Sequence, residues 1–182
     1  MKELSLNILD IAQNSVAAEA TLVTIALKET ERTLAITIAD NGKGMSADFV
    51  KSVTDPFSTT RKTRKVGLGL PLLKLAAEQA GGDMSIRSVP RAIDPENCGT
   101  MVTASFDKDN IDFTPLGDVI STVTTLIQGC PDIDFRFTHE MPDKTVSLDT
   151  GELREVLGED VPLNEPEVLM WIGESLREQY EG

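Results

Sequence analysis

At 182 residues the chain can hold one domain of ordinary size plus a small appendage, and 40% hydrophobic content with 4% aromatics predicts a packed, mostly aliphatic core. A formal net charge of -13 argues against a nucleic-acid or anionic-membrane binder, whose affinity comes from clustered Lys and Arg. The two cysteines, Cys98 and Cys130, lack CxxC spacing, the opening residues lack a signal-peptide core and no apolar run approaches a membrane span, so a cytoplasmic protein without disulfides or zinc is expected.

The first predicted element is a helix from Glu3 to about Ala18, with Leu4, Ile8, Ile11 and Ser15 on one stripe. Asn7, Asp10 and Asn14 form a second stripe beside it, and polar groups in that position need partners or a cavity. Ala20 to Lys28 reads as a strand, turned at Glu29–Arg32 into an alternating strand, Leu34 to Ala39, that ends at Asp40. Ser46 suits the N-cap of a short helix with Phe49, Val50 and Val53 inward. Leu70 to Gln79 reads as a helix with Pro71 in its first turn and Gly81-Gly82 past its end. Met84 to Val89 and Met101 to Phe106 are two more strands.

After an acidic join at 107–112, the pattern predicts a helix from Thr114 to Gln128 and a hairpin of Ile133–His139 with Thr145–Leu148. A capping-box pattern at Asp149–Glu152 opens a short helix ending near Gly158. A last helix capped by Asn164 runs to about Tyr180, with Val168, Leu169, Trp171, Ile172 and Leu176 as apolar positions. Core packing is the expected use of Trp171, and a surface position is expected for His139, the only histidine.

Three segments carry chemistry. Asp40-Asn41-Gly42-Lys43-Gly44-Met45 places a carboxylate at a strand end beside two glycines, where a backbone can approach a flat amine-bearing ring closely. Gly67-Leu68-Gly69-Leu70 feeds a helix N-terminus, whose outward amides and dipole favour phosphate, although neither the Walker nor the dinucleotide pattern is met. Asp10 and Asn14 lie one turn apart on the first helix.

In this order and spacing the segments, covering roughly residues 3 to 107, resemble the ATP-binding domain shared by sensor histidine kinases, anti-sigma serine kinases, DNA gyrase, mismatch-repair ATPases and the heat-shock chaperone, the GHKL or Bergerat fold. Asp55-Pro56-Phe57-Ser58-Thr59-Thr60 looks like the lid in the histidine-kinase style, and Ala80–Asp83 with Gly99-Thr100 resemble the tail of the same domain. The resemblance implies an α/β two-layer sandwich with a mixed β-sheet and helices on one face, carrying a small C-terminal α-β-β-α-α extension. It divides the chain into an ATP-binding domain, 1–107, and an accessory unit, 112–182.

The resemblance also implies roles. Asn14 supplies an amide oxygen to Mg²⁺, a hard cation that keeps several waters and shares phosphate oxygens. Asp40 accepts from the adenine amine, within the box that includes Gly42, Gly44 and Met45, and Thr100 supports the same end. Gly67, Leu68, Gly69 and Leu70 present amides to the phosphates of ATP, with Thr60, Arg61 and Lys62 near the β/γ region. Asp10 is the candidate catalytic residue, as base through a water or as orienter of metal-bound water, although the hydrolytic relatives and serine kinases usually carry Glu there. Because the sequence opens at the first box, no upstream phosphoacceptor hairpin and no gyrase-like transducer are expected. The expected activity is phosphoryl transfer to a partner protein, as in the anti-sigma serine kinases, with an ATP-gated binding switch as the alternative. A protein substrate or regulatory partner is implied, and a homodimer stays open.

Overall fold

The computed structural model describes residues 3–54 and 68–182. Six segments alternate large apolar with small or polar residues, and they pair into one mixed sheet. In chain order the elements are α1 (Leu4–Ala17), β1 (Leu22–Glu29), β2 (Thr33–Asp40), α2 (Ala47–Val53), α3 (Gly69–Gln79), β3 (Met84–Val89), β4 (Gly99–Asp107), α4 (Val119–Gly129), β5 (Asp134–Glu140), β6 (Thr145–Asp149), α5 (Thr150–Leu157) and α6 (Pro166–Glu181). The strand order is β3-β4-β2-β1-β5-β6. All neighbours are antiparallel except β1 and β5, which run parallel from Leu22 beside Asp134 to Lys28 beside Glu140. The stretch 112–182 thus contributes its two strands to the same sheet as the rest.

Register sets which side chains meet. Ile25 stands opposite Ile38, Ile38 opposite Val102 and Ile36 opposite Ala104, so one face is a continuous aliphatic layer. Leu4, Ile8 and Ile11 of α1, Leu73 and Ala77 of α3, Leu126 and Ile127 of α4, and Ile172 and Leu176 of α6 belong with it to a single core. The result is the expected two-layer sandwich, with its helical layer on one face. No helix among the described residues is long and apolar enough to cross a membrane.

Four local expectations need correction. Helix α4 starts at Val119, not Thr114, because the carbonyls of Pro115 and Leu116 accept from Leu4 N (2.9 Å) and Ser5 N (2.8 Å) at the open N-terminus of α1. The chain then turns at Gly117, and Asp118 caps α4 by accepting from Ser121 N at 2.9 Å. Helix α6 starts at Pro166, with Glu165 rather than Asn164 as its N-cap, since a residue before proline is held extended (Glu165 ψ 135) and proline suits the first helical position. Helix α5 is capped by Asp149 and ends before Gly158 as expected, but Asp149 accepts from Gly151 N (2.8 Å) in an Asx turn, where a capping box bonds the Glu152 amide. Trp171 is 53% exposed, while its neighbours Ile172 and Gly173 take the inward positions.

His139 is also not on the surface. It is 3% exposed on β5, with Nδ1 2.8 Å from the Tyr180 hydroxyl and Nε2 3.3 Å from Glu29 Oε2. A carboxylate only accepts, so Nε2 carries the proton and Nδ1 accepts from Tyr180. Burial holds His139 below its ordinary value of 6.5, Glu29 partly opposes that shift, and Lys108, paired to Glu29 at 3.4 Å, reinforces it. Burial and Glu29 together push the Tyr180 phenol up. With a depressed folded value, the neutral imidazole's contribution is complete above the unfolded pKa and is lost as pH falls through the folded one. Between about pH 7.5 and pH 5.5 the urea midpoint of the wild type is expected to drop further than that of His139→Gln.

Candidate functional site

Helix α1 crosses the sheet so that its last two turns lie over the end of β2, and a cavity of about 470 Å³ opens between them. Asn14, Asp40, Gly44, Met45, Leu70 and Thr100, all singled out from sequence, line it together with Ile38, Val102 and Phe49. Asp40 is fixed by two donors: the Ser15 hydroxyl donates to Oδ2 at 2.6 Å and the Gly42 amide to Oδ1 at 2.8 Å. Each carboxylate oxygen keeps a lone pair for another donor.

The turn after Asp40 is sewn down on both sides. Asn41 Oδ1 accepts from the amides of Thr21 (2.9 Å) and Leu22 (3.0 Å). Lys43 N donates to Ala18 O, and Lys43 O accepts from Arg91 N, both at 2.8 Å. A Cβ on Gly42 would lie 2.6 Å from Ala18 O. One on Gly44, whose φ is 72, would lie 2.7 Å from the Val89 carbonyl carbon and closer still to its oxygen. The missing Cβ atoms at these two glycines admit the protein's own backbone, and Gly44 lines the cavity as well.

Ser88 ties the far wall together. Its hydroxyl accepts from Met45 N at 2.7 Å, bonds Gly99 O at 3.1 Å and lies 2.8 Å from the Thr100 hydroxyl. Thr100, beside Asp40 across β2 and β4, is held at the Asp40 end in this way.

Asn14 carries the clearest unspent polarity in the wall. Its Nδ2 is buried and has no hydrogen-bond partner among the described residues, a condition it shares with Asn7 Nδ2. Asp10, one turn before Asn14, is exposed and does not line the cavity. It packs over the start of α3, where a Cβ on Gly69 would come 3.1 Å from Asp10 Cβ and 3.5 Å from Asp10 Oδ2. Leu68, the N-cap there, makes no side-chain capping bond, and Pro71 brings no amide of its own. Thr60, Arg61, Lys62 and Gly67 lie outside the described residues. No group of three or more His, Cys, Asp and Glu among the described residues could hold a metal.

Two site residues were missed from sequence. Ser15 is 4% exposed and occupies an apolar stripe position, where a small polar residue was itself the signal. Ser88 follows Met84 and Ile86 in the inward row of β3, again a polar residue where an apolar one is expected. Ser15→Ala is expected to lower ligand affinity about five- to tenfold, a loss of about 1 kcal/mol, without moving the melting temperature by more than a few degrees. Calorimetry beside thermal melting checks both.

The histidine kinase-, DNA gyrase B-, and HSP90-like ATPase family matches residues 1–110, more than half of the chain, and the chain belongs to this family. An uncharacterised sensor-like histidine kinase of Rhizobium meliloti is 36% identical over 93 residues, 48% of this chain and 17% of that protein. The tetrathionate sensor histidine kinase TtrS of Salmonella typhimurium is 33% identical over 103 residues, 56% of this chain and 17% of its own. The similarity thus spans less than a fifth of the length of these kinases. Among solved structures, the Aquifex aeolicus MutL ATPase domain complexed with ADP superposes with a TM-score of 0.53 at 15% identity, covering 86% of this chain and 69% of that one. That is a likeness of fold, and its extent reaches beyond residue 110 into the C-terminal segment.

Proposed function

We propose that the cavity binds ATP with Mg²⁺ and that the protein passes the terminal phosphoryl group to a partner protein. The observation that carries the reading is Asp40, a carboxylate locked by Ser15 and Gly42 at the end of a largely apolar slot. A flat base with an exocyclic amine satisfies such an acceptor, and Ile38, Val102, Met45 and Leu70 give its faces apolar contact. The residues present also suit a magnesium ion. Asn14 lines the cavity with a side-chain amide whose oxygen is the neutral, hard ligand such an ion takes, Asp10 lies one turn away, and a hard cation sharing phosphate oxygens needs few protein ligands. The ion, when bound, neutralises phosphate charge in transfer.

The remaining steps belong to the chain. Amides of Leu68 to Leu70, at the uncapped start of α3, hold phosphate oxygens, with Gly67, Thr60, Arg61 and Lys62 completing that side as the family resemblance implies. Asp10, exposed beside Gly69, takes the proton of the acceptor hydroxyl or imidazole, directly or through a water. His139 is buried and hydrogen-bonded on both ring nitrogens, which supports an acceptor on another protein. Residues 1–107 form the nucleotide-binding part in this reading, and 112–182 an accessory part on the same sheet.

Mixing the purified protein with ATP labelled at the γ-phosphate and candidate partners tests it. Label is expected on the partner with wild type and is lost with Asp10→Asn, which still binds ATP. Hydrolysis with no labelled protein in any mixture contradicts transfer.

A further inference from the structure

The C-terminal segment holds a second concavity at the opposite end of the sheet order from β3 and β4. It opens across β5 and β6 between α5 and α6, with a volume of about 460 Å³. Leu148, Leu153, Val156 and Trp171 form its apolar lining, Asp149 and Glu152 are its acidic residues, and Arg136, paired to Asp149, is its one basic residue. Val156 is 84% exposed and Trp171 53%, so two large apolar side chains meet water in one groove. A half-exposed tryptophan beside a pocket is the kind of group that anchors an interface.

Charge says what fits. From Asp149 to Glu181 the chain carries ten carboxylates against two arginines. Among the described residues only one of those ten, Asp149, is in an ion pair, with Arg136 at 3.3 Å, and Arg154 is spent on Asp134 at 2.8 Å. Glu167, Glu174 and Glu178 stand four before, three after and seven after Trp171, the spacings that share its side of α6. The mode of docking is also constrained. Gln179 pairs with both the amide (2.8 Å) and the carbonyl (3.0 Å) of Ser147, so the outer edge of β6 is already taken at its middle. A partner therefore inserts side chains into the groove and does not add a strand.

We infer that this groove docks a cationic segment of a partner protein, seating an aliphatic or aromatic side chain against Trp171 and Val156 with flanking Lys or Arg on the surrounding carboxylates. The site is independent of the cavity at Asp40, so its failure and that of the nucleotide reading are separable.

Trp171 is the chain's only tryptophan, and its fluorescence reports directly. The probe is a synthetic peptide with a central leucine-phenylalanine pair flanked on each side by three lysines or arginines, beside a charge-matched peptide with two serines at the centre. The first is expected to shift Trp171 emission to the blue, saturably, and to bind at least tenfold tighter than the second by calorimetry. Trp171→Ala and Val156→Ser, both at exposed positions, each weaken calorimetric binding at least fivefold, and Asp40→Asn leaves it unchanged. Equal binding of the two peptides, no binding of either, or unchanged binding by both groove variants overturns the inference. So does concentration-dependent dimerisation that Trp171→Ser abolishes, since the occupant is then a second copy of the chain.

Discussion

Asp40→Asn is expected to weaken ATP binding about a hundredfold or more while the protein stays folded. The native carboxylate accepts from Ser15 and Gly42 and still has lone pairs for the base amine. Asparagine has the same shape, but one of its two positions is an NH₂ donor. If that donor faces the base amine, donor meets donor; if it faces Gly42, the turn loses its 2.8 Å bond. Hydrogen bonds to a charged group contribute about 1.5–3 kcal/mol, so losing one and leaving a mismatched donor accounts for the hundredfold. Calorimetry gives the affinity, and far-ultraviolet circular dichroism shows whether the fold is kept. An Asn variant that binds within a few-fold of wild type removes Asp40 from base recognition.

The second large effect is expected from Gly44→Ala, and it falls on stability as well as on binding. Gly44 has φ 72, a region that costs an L-residue about 1–2 kcal/mol. The added methyl group also meets the Val89 carbonyl, which cannot retreat freely because Ser88 is bonded to Met45 N and Arg91 N to Lys43 O. Relief requires breaking one of those links, for a total loss of about 3 kcal/mol and a melting temperature lower by about 6–12 °C for a chain of this size. Nucleotide affinity falls with it, since the same links hold Met45 and Thr100 in the wall. Gly129→Ala is the control: no atom lies within 4 Å of the added carbon, and stability should hold or rise slightly.

These two positions were legible in the sequence because their signals are local. A carboxylate ends an alternating strand, and two glycines follow one residue apart, so the turn and its chemistry are written in six consecutive residues. The cavity's other fasteners are not local. Ser15 reaches Asp40 across 25 positions, and Ser88 reaches Met45 across 43. Each shows up in the sequence only as a polar residue in an apolar row. The same holds for the fold. The helix expected from Thr114 loses its first turn because α1, more than a hundred residues earlier, needs the carbonyls of Pro115 and Leu116 for its uncapped amides. His139 looked solitary because its partners, Glu29 and Tyr180, come from β1 and α6, and only the parallel pairing of β5 with β1 brings the first of them near. Periodicity placed Trp171 among apolar positions but not on which side of α6 the core would fall. The exposed acidic side of α6 decides that, and it leaves the tryptophan facing the groove.

An acceptor at Asp40 selects for an amine on the base, and guanine offers a carbonyl oxygen where adenine offers that amine. Wild-type protein titrated calorimetrically with ATP and then with GTP, each with Mg²⁺, tests this most directly. ATP is expected to bind at least about a hundredfold tighter, because a carboxylate facing a carbonyl leaves two acceptors opposed. Equal affinity for the two nucleotides, or no binding of ATP, contradicts base recognition by Asp40.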